Sequence, residues 1–214
     1  MTKRSQVIAV RLSLGLLVLV AIGMQLGVHL RLDLSASNFF SYFTNLSNLL
    51  AAAVFVLGAS QIAANRPTGP RFDLLRWISA ANMTAVGIVF AVLLRDADLG
   101  SLMPWVNVLL HYVMPVVVVV DWLVCPPDTQ IEIGDMAVVL VLPALYLGYT
   151  VVRGALIDWY PYPFLNPAKV HGYLGVFGYA VGIAATFAVI AWALMAAGNR
   201  LRATASAEAS SRGR

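Results

Sequence analysis

Phe39–Leu50 reads FFSYFTNLSNLL. It sits inside an apolar run long enough to span a bilayer, yet it carries Ser41, Thr44, Asn45, Ser47 and Asn48. Hydrocarbon offers these groups no water, so each requires a protein partner or a polar cavity. At about 3.6 residues per turn, Ser41, Thr44 and Asn48 fall along one face of a helix. The stretch therefore predicts a membrane-spanning helix whose polar stripe is turned toward other helices.

The rest of the chain agrees with a membrane setting. Of 214 residues, 60% are hydrophobic and 11% charged, and the mean hydropathy is +0.82; soluble domains carry about 25% charged residues. The net charge of +4 comes from basic residues at segment ends, a pattern of membrane topology rather than of a nucleic-acid surface. The single cysteine, Cys125, excludes an internal disulfide.

The apolar runs predict an all-α bundle of six transmembrane helices over about 12–28, 39–62, 74–94, 104–120, 136–152 and 173–197. The first run lacks a small-residue cleavage pattern and reads as a retained helix. Residues 1–198 form one domain, and 199–214 read as a small, polar, basic, disordered tail. Six spans put both termini on one side. With that side cytoplasmic, ten of the 14 basic residues lie there, against Arg31, Arg95, Arg153 and Lys169 opposite. This fits the positive-inside rule, and an inner (plasma) membrane is the expected location. The loop holding Trp159, Tyr160, Tyr162 and Phe164 then belongs to an interfacial aromatic belt.

In this topology spans two and four run in the same direction. Thr44 is about 8 Å and His111 about 10 Å below one interface at helical rise, so the two share a layer. Asn45, Asn107, Thr150, Arg153, His171 and His29 reach it as well. Each has an ordinary reading. A membrane threonine commonly bonds back to a carbonyl three or four residues earlier. A histidine or asparagine, including Asn48 and Asn82, commonly joins two helices, and Arg153 reads as a snorkelling anchor. Asp121, about 15 Å deeper than His111, reads as an inner-interface residue.

The functional reading is a Thr/His pair. A hydroxyl nucleophile needs a base to take its proton as it attacks an ester carbonyl, and histidine suits that work. Amide donors from Asn45, Asn48 or Asn107 are candidates to hold the oxyanion. Arg153, Thr150 and His171 are candidate substrate-binding residues, with Arg153 suited to a carboxylate.

The segments SYFTNLSN in span two, NVLLHYVMP in span four and the loop RGALIDWYPYPFLNP resemble those of a group of bacterial six-span membrane proteins. That group is distantly similar to the animal androgen-induced and androgen-dependent intramembrane threonine hydrolases. The resemblance implies hydrolysis of fatty acid esters of hydroxy fatty acids, with Thr44 as nucleophile, His111 as base, Asn107 beside it, and a lipid or fatty acyl ester as substrate. It implies no cofactor and no metal. The competing reading is a non-enzymatic small transporter, receptor or membrane assembly factor. Haem held by paired histidines is disfavoured, because His29 and His171 sit at the membrane edge.

Overall fold

The computed structural model describes residues 3–97 and 100–212. Among these, six helices are long and apolar enough to cross a membrane. Span one is α1 (Lys3–Arg31). A short helix, α2 (Ala36–Phe40), leads into span two, α3 (Phe43–Ala63). Span three is α4 (Pro70–Val89), extended by a π-helical turn at Phe90–Leu94. Span four is α5 (Pro104–Val108), a second π-helical turn (Leu109–Val113) and α6 (Met114–Val124). Spans five and six are α7 (Met136–Ile157) and α8 (Gly172–Arg212). The chain is an all-helical integral membrane protein.

Three sequence expectations change. The second span does not begin at Phe39: the backbone breaks at Ser41 and Tyr42, so Ser41 ends α2 rather than starting the stripe on α3. The first helix extends back to Lys3 and carries Arg11, which is buried. The tail expected to be disordered continues α8 as far as Arg212. Its sequence ATASAEAS offers good helix formers and no proline, so propensity favours continuation. At helical rise α8 is about 60 Å long, twice a hydrocarbon core of about 30 Å.

Four charges meet at the end of the bundle where α1 begins. Arg11 grips Asp121 with two bonds, Nε to Oδ1 at 2.7 Å and Nη2 to Oδ2 at 3.0 Å. Arg76 reaches Asp121 at 3.4 Å and Asp73 at 3.7 Å. Asp73 also accepts from the Thr129 backbone N–H and hydroxyl, both at 2.9 Å. Two arginines and two aspartates leave the cluster formally neutral. The arginine side chains are 5% and 6% exposed, so they are not lipid-headgroup anchors. Arg11 has room because Gly58 faces it: a Cβ there would stand 2.9 Å from an Arg11 guanidinium nitrogen.

Indoles extend this end outward. Arg76 lies 5.4 Å from the Trp122 ring centre. Trp122 and Trp77 donate to the α8 carbonyls of Leu194 and Ala191 at 2.9 and 3.0 Å. The cluster thus ties α1, α4, α6 and α8 together. Span five stands apart: 11% of its apolar window is buried, against 56% for span three. Its attachments are at the other end. There Tyr146 donates to the Ser41 carbonyl, Tyr149 meets the Ser41 hydroxyl, and Arg153 donates to Ser37 and Asn38.

The π turn in span four has a local cause. Pro115 has no N–H for the His111 carbonyl four residues earlier, and its ring crowds that carbonyl, which widens the turn. Gly87 lets α4 approach at this level, since a Cβ there would be 3.0 Å from the Pro115 Cβ.

Asp121→Asn is expected to cost about 3–5 kcal/mol, because it leaves Arg11 buried without its counter-charge. Asp96→Asn, at the exposed Arg95 pair, is expected to leave the melting temperature unchanged. Thermal melts of the two variants beside wild type check this.

Candidate functional site

Thr44 is the second residue of α3, and its position frees its hydroxyl. Thr84, Thr186 and Thr204 bond back to the carbonyls of Ala80, Gly182 and Arg200 at 2.7, 2.9 and 3.1 Å. For Thr44 the carbonyl four residues earlier belongs to Phe40, beyond the break between α2 and α3. Its hydroxyl instead lies 3.5 Å from the Tyr162 hydroxyl. The Tyr162 oxygen also accepts the Thr44 backbone N–H at 3.3 Å, one of the first-turn donors that a helix cannot satisfy itself.

Tyr162 comes from the loop Trp159–Leu165, which does not lie flat as an aromatic belt. Tyr162, Phe164 and Leu165 are 9%, 7% and 3% exposed and fold inward as a plug. Prolines at 161, 163 and 167 stiffen this loop. The Tyr162 ring stacks on Phe164 and meets Tyr42 edge-on. Burial raises the Tyr162 phenol above its ordinary pKa, so it remains a hydroxyl donor at neutral pH. Sequence reasoning assigned Tyr162 no role in the site. The available signal was a tyrosine held between two prolines in a segment with few other polar side chains.

Thr44 and Tyr162 line a cavity of about 230 Å³. Its walls come from α3, α4 with its π turn, α7, the plug and α8. Phe43, Val86, Val89, Leu147, Ile183 and Phe187 are representative, and the remaining walls are almost all hydrocarbon. Tyr146 adds a third hydroxyl, already donated to Ser41. The cavity is therefore a dry, apolar chamber with a polar tip at Thr44 and Tyr162.

His111 lies close to this chamber without lining it. Phe90 does line it, and the Phe90 ring stacks on the imidazole with centres 4.0 Å apart. His111 Nδ1 is 3.3 Å from the Asn107 carbonyl. A carbonyl only accepts, so Nδ1 carries the proton and Nε2 keeps its lone pair in the neutral ring. Among the described residues no hydrogen bond joins Thr44 to His111. They are coupled through Asn48, whose Nδ2 donates to the Thr44 carbonyl at 2.9 Å and to the Leu110 carbonyl at 3.2 Å.

Two of the three expected oxyanion donors are engaged elsewhere. Asn45 donates to the Phe39 carbonyl at 2.8 Å, bracing the break between α2 and α3. Asn48 is committed to its two carbonyls, and the side-chain oxygen of Asn107 is buried without a partner. The donor at the polar tip is instead the Tyr162 hydroxyl, since the Thr44 N–H already donates to Tyr162 and those of Asn45 and Leu46 to the Tyr42 carbonyl. Of the expected substrate-binding residues, Thr150 is buried on α7, one turn after Tyr146. Arg153 binds Ser37 and Asn38 and stacks over Trp159 at 5.2 Å. His171 is exposed, with a φ of 62° at the entry to α8. None of the three lines the cavity.

No protein-family model, curated protein or solved structure matches the chain.

Asn48 and Asn82 are both 0% exposed but differ in their partners. Neither side-chain atom of Asn82 has a hydrogen bond among the described residues. Asn48→Leu is expected to lower stability by about 1–3 kcal/mol, since it strips a donor from two buried carbonyls. Asn82→Leu is expected to be neutral or stabilising, since it removes unsatisfied polar atoms. Melting both variants in one detergent checks the contrast.

Proposed function

We propose that the protein is an intramembrane hydrolase of lipid esters, of the type in which a fatty acid is esterified to a hydroxy fatty acid. The observation that carries this reading is the Thr44 hydroxyl, held 3.5 Å from the Tyr162 hydroxyl at the polar tip of an apolar cavity. Such a chamber takes up an acyl chain by its hydrocarbon and leaves the ester carbonyl at the tip. The likeness of SYFTNLSN and NVLLHYVMP to the segments of intramembrane threonine hydrolases supports the same chemistry.

In this reading Thr44 Oγ1 attacks the ester carbonyl carbon while its proton passes to His111 Nε2. The negative charge on the carbonyl oxygen is met by the Tyr162 O–H and by the partial positive charge at the start of α3. Collapse expels the alcohol, which takes the proton back from His111 and leaves acyl-Thr44. Water then adds to that ester, giving a proton to His111, and Thr44 departs as the hydroxyl with release of the fatty acid. The proton transfers require Thr44 Oγ1 and His111 Nε2 to come within hydrogen-bond reach, and a chain pressing from the cavity on Phe90, which stacks on the imidazole, supplies a reason for the ring to move. The charge distribution supports cytoplasmic termini in the bacterial inner membrane, with Thr44 near the opposite face.

Purified protein in nanodiscs is expected to cleave a branched hydroxy-fatty-acid ester. Thr44→Ala and His111→Ala are each expected to lose about 10²-fold or more, and Tyr162→Phe about 10–10²-fold, all with wild-type melting curves. Undiminished hydrolysis in well-folded Thr44→Ala would remove the nucleophile and with it the mechanism. Chain binding without hydrolysis in wild type would favour a carrier or receptor.

A further inference from the structure

A second hollow adjoins the cavity. It measures about 500 Å³ and lies between span three (Ile88, Val89, Val92, Leu93) and span six (Gly175, Gly178, Tyr179, Gly182, Ile183, Thr186). Val89 and Ile183 line both spaces, so these two side chains form the wall that the groove and the chamber share. The groove faces outward: Ile88 is 41% and Val92 73% exposed. Its origin lies in how the helices are held. The indoles fix α8 to the bundle at Ala191 and Leu194, one to several turns from the groove. Along the groove span three is interrupted by the Phe90–Leu94 π turn.

Gly175 is required by the Val170 backbone against it, but the other two glycines of this groove, Gly178 and Gly182, are not explained by packing within the chain. Glycine in membrane helices commonly permits close helix contact, and Gly87 and Gly198 do so here, with a neighbour 3.0 and 2.6 Å from a Cβ placed on them. A Cβ on Gly178 or Gly182 meets no neighbouring atom within 4 Å. Two glycines one helical turn apart thus hold open a channel that no other described residue fills.

We infer that the groove between spans three and six is a lateral portal. An acyl chain of a bilayer lipid lies along Gly178 and Gly182 and passes Val89 and Ile183 into the Thr44 chamber. The shared wall selects this occupant over the helix of a second copy, since a single hydrocarbon chain can pass between two side chains whereas a helix about 10 Å across cannot. The inference rests on the cavity as an acyl-chain site and does not depend on hydrolysis. It makes the substrate a lipid delivered from within the bilayer rather than from water.

The test is photolabelling of the full-length protein in phosphatidylcholine nanodiscs containing a fatty acid ester with a mid-chain diazirine, with residue-level mapping. Wild type is expected to be labelled in the groove at Val92 and in the chamber at the buried Val86 and Phe187. The double variant Gly178→Leu/Gly182→Leu is expected to lose chamber labelling at least five-fold with an unchanged melt. Val92→Trp provides an independent block where the double variant does not fold. Thr44→Ala is expected to be labelled as wild type, which separates the portal from catalysis: labelling of wild type without turnover keeps the portal and ends the hydrolase reading. Wild-type chamber labelling in both blocked variants would overturn the portal. So would near-complete disulfide formation between copies of Gly178→Cys in a Cys125→Ser background, which would give the groove to a partner helix.

Discussion

Charge buried in a low-dielectric interior has to be neutralised in place, and the Arg11, Asp73, Arg76 and Asp121 cluster does this for the whole bundle. Its members come from α1, α4 and α6, so these helices have one relative register that leaves no charge unmatched. The indoles of Trp77 and Trp122 extend the constraint to α8. Such a network need not add net stability over a well-packed apolar core, but it specifies which helices adjoin and at what depth. Span five makes none of these contacts. It is fixed from the opposite end by Tyr146, Tyr149 and Arg153, and the Thr44 chamber occupies the space between it and the charge-tied helices.

The threonine end is built from irregular backbone. The break at Ser41 and Tyr42, the π turns at Phe90 and Leu109, and the inward plug all interrupt the standard hydrogen-bond ladder. Within a membrane, such interruptions persist only where protein groups satisfy the freed backbone or where the backbone lines a cavity. Both conditions are met: Asn45 takes the Phe39 carbonyl, Tyr146 takes the Ser41 carbonyl, and Tyr162 takes the Thr44 N–H. The functional layer and the irregular layer coincide. One end is locked by charge, and the other is shaped by interruptions that free particular side chains.

The six spans were legible because about twenty apolar residues between polar turns have few alternatives. The polar stripe in span two was legible for the same reason, since Thr44, Asn45, Ser47 and Asn48 have no place in lipid, and all four are buried. What periodicity alone could not show was the break before Phe43, which takes Ser41 off that stripe. Nor could it show the partner of Arg11, because Asp121 is 110 residues away and local sequence carries no information on the match. The aromatic loop misled for a physical reason: a Trp/Tyr/Phe run beside a span fits an interface belt and an inward plug equally well. Only the tertiary position of Tyr162 separates them.

The placement of Thr44 shows how one interruption creates chemistry. A threonine in the middle of a regular helix has a carbonyl four residues back within reach, and three other threonines in this chain use theirs. Starting α3 at Phe43 removes that partner and sets Thr44 in the first turn, where the helix end carries partial positive charge. The plug then brings a phenol to the same point, in a chamber otherwise almost without polar groups. On the proposed hydrolase reading, an ester entering by its hydrocarbon finds few other places for its carbonyl dipole. The scarcity of competing polar sites then orients it along with the direct contacts, so the apolar walls and the hydroxyl pair act as one device.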